Sequence, residues 1–187
     1  MITLYLQRVL GYGAAASGLG LLPTATVIGI VALGLSARLA ERFGPRVMLL
    51  AGLALITAGL ILLTQVPVHA SYSAQLLPAL LLFGAGGGLC LPALASLGMS
   101  GATQSDAGLA SGLFNTTQQI GAALGVAVLS TLAAAQTRSL HSASAAALAS
   151  GYHLAFAVGA GLAGTAIVVA AVVLRPSRRR AALAECC

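Results

Sequence analysis

Apolar stretches about as long as a membrane is thick, each ended by a short polar cluster, recur along the whole chain. Five windows qualify, roughly 17–37, 47–66, 76–98, 109–135 and 152–174. A helix needs about 20 apolar residues to cross the hydrocarbon core, and each window supplies them. Pro23 falls in the opening turns of the first, where a missing N–H costs least. The fourth window breaks the pattern, because Asn115, Thr116, Thr117, Gln118 and Gln119 are consecutive polar residues inside an apolar run. The pattern predicts an all-α polytopic membrane protein with five transmembrane helices in one transmembrane unit.

Composition agrees with that class. Hydrophobic residues make up 59% of the chain, charged residues 6%, and the mean hydropathy is +1.00. A soluble domain carries about 25% charged residues to keep its surface wet. The expected surroundings are therefore a lipid bilayer. All nine basic residues are arginine, which with the Ala, Gly and Leu bias suggests a bacterial source and an inner (plasma) membrane location.

The net charge of +6 does not imply nucleic acid, because the arginines stand beside apolar windows. Arg38, Arg42 and Arg46 flank the link between the first two windows, and Arg175, Arg178, Arg179 and Arg180 follow the fifth. Cytoplasmic loops carry the excess of Lys and Arg. Both places are thus expected to be cytoplasmic, with 175–187 as a basic cytoplasmic tail. The same parity puts Met1 outside, yet the first residues lack the basic region and apolar core of a secretory signal. An upstream helix that delivers the chain to the outer face is the simpler expectation, which makes this a fragment of a longer protein.

Candidate chemistry is sparse. Glu41, Asp106 and Glu185 are the carboxylates, none of them mid-window, so no pair is placed for acid–base catalysis. His69, His141 and His153 fall in outer links or at a window's edge, at spacings that suit no metal. Neither a catalytic site nor a metal site is expected. Cys186 and Cys187 are adjacent and Cys90 lies inside a window, which makes no disulfide framework. The run "FGAGGGLCLP" (83–92) is no dinucleotide fingerprint, since Leu89 occupies the third glycine position and no strand precedes it. No cofactor is expected. Gly84 and Gly88 instead have the spacing that lets membrane helices approach closely, and Pro92 makes the helix pliable.

On a helical wheel Gly108, Gly112, Asn115, Gln119 and Ala122 fall within roughly an 80° arc. Gln118, Gly121 and Gly125 share an adjoining face of about 60°. Interhelical hydrogen bonds in membranes average about 0.6 kcal/mol, whereas an unpaired buried amide costs about 1–3 kcal/mol. Three amides held only to join helices are a poor exchange unless each is fully paired. A water-lined cavity removes the penalty. Asn115, Gln118 and Gln119 are therefore the candidate substrate-binding residues, and the glycines around them are candidate packing positions.

Three stretches carry a family resemblance. Glu41-Arg42-Phe43-Gly44-Pro45-Arg46 resembles the cytoplasmic loop motif of the major facilitator superfamily. Glu41 stands in place of its Asp, Arg42 and Gly44 match, Arg46 takes its last basic position, and Pro45 replaces a basic residue. Gly also supplies the positive φ that a tight helix reversal needs. "LQRVLGYGAAASGLGLLP" (6–23) and "DAGLASGLFNTTQQIGAALGVA" (106–127) resemble the EmrB/QacA branch of drug:proton antiporters. In the second stretch Gly112, Leu113, Asn115, Gln119, Gly121 and Gly125 match the branch pattern, with Gln118 where Arg is common.

The resemblance implies an incomplete C-terminal half of a major facilitator fold. Such a half contains two inverted three-helix repeats, so five helices are one short. It further implies export of drugs or other small hydrophobic compounds by proton antiport and alternating access. Glu41, Arg42, Gly44 and Arg46 would form part of a cytoplasmic gate. The coupling carboxylate would lie in upstream helices, so the 187-residue chain is expected not to transport alone. The alternative is a small membrane interaction protein or assembly subunit without transport of its own.

Overall fold

The computed structural model describes residues 7, 13–65, 76–103, 105–139 and 145–174, with 138, 139 and 145–149 described by backbone alone. The chain forms α1 (Ala14–Ile30), a π-helical turn (Val31–Leu35), α2 (Ser36–Thr64), α3 (Leu77–Met99), α4 (Ala107–Ser139) and α5 (Ala145–Val173). Among the described residues four helical stretches are long and apolar enough to cross a membrane, the first of them spanning Ala14–Thr64.

That first stretch has 51 residues. At 1.5 Å per residue it would reach about 76 Å, far more than a core of about 30 Å. It turns back at Gly44, where φ is 78° and ψ is 158° inside α2. This conformation is open almost only to glycine. Pro45 follows, with its missing N–H at the first position of the new helical run.

Close contacts give the direction of each helix. Gly84 and Gly88 of α3 lie against Thr24 and Val31 of α1, so α1 and α3 run parallel. Gly52 of α2 meets Cys90, and Gly59 meets Ala79 and Phe83, so the second run of α2 is antiparallel to α3. Gly98 meets Phe114 of α4, and Gly151 of α5 meets Ala133 and Thr137 of α4. The helices after Gly44 therefore alternate in direction, with Gly44, the α3–α4 link and the end of α5 at one end of the bundle.

α3 occupies the middle because its own side chains are nearly absent at the contacts. A Cβ at Gly86 would stand 2.6 Å from the Gly52 carbonyl oxygen and 2.9 Å from the Ile56 nitrogen. One at Gly84 would stand 2.9 Å from the Thr24 carbonyl oxygen. Two apolar clusters hold the bundle. Leu63, Leu76, Leu80, Ala133, Tyr152 and Phe156 pack at the end away from Gly44. Met48, Leu49, Leu89, Cys90 and Ala93 pack nearer to it, with Ala170 and Leu174 against them.

α4 and α5 reach into the link expected between the fourth and fifth windows, to Ser139 and from Ala145. Ala145, Ala146 and Ala147 open α5, and alanine has the highest helix propensity. The expected outer link around His69 and the basic tail 175–187 lie outside the described residues, as does His141.

Candidate functional site

Asn115, Gln118 and Gln119 lie in the first half of α4, so "NTTQQ" is helix and not a link. The two threonines between the amides are satisfied within the helix. Thr116 donates to the Gly112 carbonyl at 2.8 Å and Thr117 to the Leu113 carbonyl at 2.8 Å. All three amides are exposed in the bundle. No neighbouring helix stands within 4 Å of a Cβ position at Gly108, Gly112, Gly121 or Gly125. The structure thus leaves both small-residue faces of this part of α4 open, whereas it places Gly84 and Gly88 against α1.

At the Gly44 end the charged residues separate. Arg38, Glu41 and Arg42 are exposed on the first run of α2, and the Arg42 guanidinium carbon lies 5.8 Å from the Phe43 ring centroid. Arg46 turns inward and its NH2 group donates to the Ala171 carbonyl of α5 at 3.0 Å. Its Nε is buried without a partner. A cation on the last carbonyls of a helix meets the negative end of the helix dipole. Of the four residues in the loop motif, Gly44 makes the bend and Arg46 ties α2 to α5.

The bundle also contains a cavity of about 530 Å³. Ile56 and Leu60 of α2 lie on its wall, between Leu49 and Leu63, so the cavity sits at mid-depth between the two clusters. Phe83, Val126, Leu129, Phe156 and Gly159 line it as well. Among the described residues Thr24 is the one lining residue with a polar side chain, and it is 92% buried with its hydroxyl unpaired. Every other described threonine hydroxyl has a hydrogen-bond partner. Sequence reasoning missed Thr24, since Thr26 two residues later looks the same until the helices are packed. Among the described residues no three side chains are grouped to hold a metal ion.

Comparison with known proteins accords with this architecture. Residues 1–126 match the family model for the Major Facilitator Superfamily. The cephamycin export protein CmcT of Amycolatopsis lactamdurans is 40% identical over 173 residues, which are 92% of this chain and 35% of that protein. The multidrug resistance protein Stp of Mycobacterium tuberculosis is 38% identical over 135 residues, 72% of this chain and 25% of its own length. The puromycin resistance protein pur8 of Streptomyces alboniger is 33% identical over 138 residues, 73% of this chain and 27% of its own. The chain thus spans about a third or less of these bacterial relatives. With the apolar helices and the glycine-borne reversal, these matches make it a multi-pass membrane protein of the major facilitator superfamily, related to drug efflux pumps.

Proposed function

We propose that this chain forms five membrane spans from the C-terminal half of an exporter of drugs or other small hydrophobic compounds, driven by proton antiport. The observation that carries the reading is the 40% identity to a cephamycin export protein over 92% of the chain. The reversal at Gly44 supports five spans, because two runs of opposite direction divide Ala14–Thr64. The arginines at the Gly44 end favour the cytoplasm on that side, which brings the end of α5 to the same face.

Asn115, Gln118 and Gln119 would meet the substrate by hydrogen bonds and shape, without fixed charge. Their exposure and the lack of a helix against the small residues around them support this role. Glu41, Arg42, Gly44 and Arg46 would contribute to a cytoplasmic gate, with the Arg46 contact to Ala171 as one of its closures. Among the described residues no titratable side chain lines the mid-depth cavity, which supports placing the coupling group in sequence that the longer relatives have in addition.

The test uses the chain joined to the upstream helices of a longer relative. Single cysteines at 115, 118 and 119 should react with a water-soluble thiol reagent, and an exported drug should slow that reaction. Uniform protection at all three in the absence of drug would return the amides to helix packing.

A further inference from the structure

α1 and the π-helical turn together rise about 30 Å, the thickness of a hydrocarbon core. Their open face is apolar down to the turn, with Ile30 64% and Leu33 87% exposed. The first charged residue after Ala14 is Arg38, and Arg42 follows one helical turn later. Both come where the hydrocarbon gives way to the headgroups.

The two arginines face away from the bundle. Leu39 and Ala40 pack against the cluster of Met48, Leu49 and Ala93, and Ser36 is buried on the same side. Arg38 and Arg42 lie about 40° apart on the other side, and both are exposed. Leu35, exposed as well, stands seven residues before Arg42 and about 20° from it around the axis. From the turn toward Gly44 this surface is apolar first and cationic after, which is the profile of one leaflet of a bilayer. Among the described residues neither arginine has a hydrogen bond or an ion pair. Glu41 lies about 60° from Arg38, on the side away from Arg42. The Arg42 guanidinium carbon is 5.8 Å from the Phe43 ring centroid, and a cation over a ring face keeps its N–H edges for an acceptor.

We propose that Arg38 and Arg42 hold the phosphate of an anionic phospholipid, of the phosphatidylglycerol kind, at the membrane face where Gly44 lies. This proposal rests on the five-span reading above, which sets the depth of Arg38. Two guanidinium forks one turn apart suit a single phosphate, since each can bind it through two N–H groups. A choline head would place an ammonium beside the two arginines, so a headgroup without one is favoured. The acyl chains run along Leu35, Leu33 and Ile30. Arg46 takes no part, because it turns inward to the Ala171 carbonyl.

The test counts the lipid that the 187-residue chain retains. In every chain Arg175, Arg178, Arg179 and Arg180 are replaced by Gln, so that lipid held by the tail is not counted. The protein is equilibrated with mixed micelles of phosphatidylglycerol and phosphatidylcholine, and native mass spectrometry reads the ratio of the two bound lipids. An arginine beside an anionic surface is worth about fivefold in binding. Arg38→Gln and Arg42→Gln should each lower the ratio about fivefold, and the double variant about 30-fold. Arg138→Gln, at the far end of α4, should leave it unchanged. Equal ratios in the parent and the double variant would overturn the proposal. Displacement by inorganic phosphate, with none by chloride at equal ionic strength, would overturn it in favour of a free phosphate. Loss of the preference once the chain is joined to the upstream helices of the cephamycin export protein would overturn it in favour of an acidic side chain on those helices. Single cysteines at Glu41 and Gln65, with the native cysteines replaced by Ala, keep the two readings apart when probed with an impermeant thiol reagent. Labelling from opposite sides of the membrane retains the five spans whatever lipid is held, and labelling from one side removes them and the depth of Arg38 with them.

Discussion

Replacing Gly86 by Ala tests the packing of α2 on α3 most directly. The new Cβ would stand 2.6 Å from the Gly52 carbonyl oxygen, 2.7 Å from Ile56 Cγ1 and 2.9 Å from the Ile56 nitrogen. Two of these three neighbours are backbone atoms, so no rotamer change relieves the overlap and the helices must part. Overpacking of this kind costs about 1–3 kcal/mol. Alanine also gains about 0.8–1.0 kcal/mol of helix propensity over glycine, which would hide part of the loss. Gly161→Ala cancels that gain, because nothing lies within 4 Å of its Cβ position. The difference between the two variants should therefore be about 1–3 kcal/mol, or roughly 5- to 150-fold in the opening equilibrium.

The protein carries its own probe of that opening. Cys90 is buried at the same contact, with its Sγ 2.7 Å from where a Gly52 Cβ would stand. With Cys186 and Cys187 changed to Ser, a fluorogenic maleimide reads the rate at which Cys90 becomes accessible. That rate follows the opening equilibrium when reclosing is faster than labelling. Gly86→Ala should label faster than Gly161→Ala by the factor above. Equal rates within a factor of about two would refute the close backbone approach of α2 and α3.

Three further outcomes follow from the same structure. Gly44→Ala and Gly44→Asn should both destabilise the bundle by about 1–3 kcal/mol in SDS titration, because φ 78° with ψ 158° lies outside the left-handed well that Asn tolerates; rescue by Asn would contradict the bend. Arg46→Ala should cost about 1.5–3 kcal/mol in the same titration through loss of a charged hydrogen bond, with Arg46→Lys intermediate because it keeps the stem and a charge, and an Ala variant as stable as the parent would refute the tie between α2 and α5. The 187-residue chain expressed in a host stripped of efflux pumps should leave drug susceptibility unchanged, and resistance conferred by it alone would refute the need for further helices.

How much of this was legible in the sequence depends on the kind of signal. The apolar windows were legible because a lipid environment imposes a long and nearly charge-free run on each helix. Gly44 was legible because a reversal between helices leaves few residue types that accept its φ. The separation of Arg46 from Arg38 and Arg42 was not, since three arginines at four-residue spacing share a helical face only if the helix continues through Gly44. Likewise Gly84 and Gly88 share with Gly121 and Gly125 the same spacing, yet only the first pair meets a helix here. Spacing states that close approach is permitted and leaves open which partner arrives. Thr24 differs from Thr26 only in what packs beside it, which no local pattern encodes.

The π-helical turn at Val31–Leu35 adds a consequence for how α1 is timed against its neighbours. Such a turn widens the ring of each hydrogen bond by one residue and so carries one residue more than an α-helix of equal rise. Everything after it is set back in phase by about one residue, or roughly 100° around the axis. Val31 still faces Gly88 of α3, while Arg38 and Arg42 come to the outside of the bend. Deleting Leu33, whose side chain touches little, would straighten the helix and keep its length in register with α3. It would leave Arg38 and Arg42 where they are, whereas an α-helix that kept every residue of the turn would carry them about 100° around the axis, so the one extra residue sets the bearing of the charges beyond it.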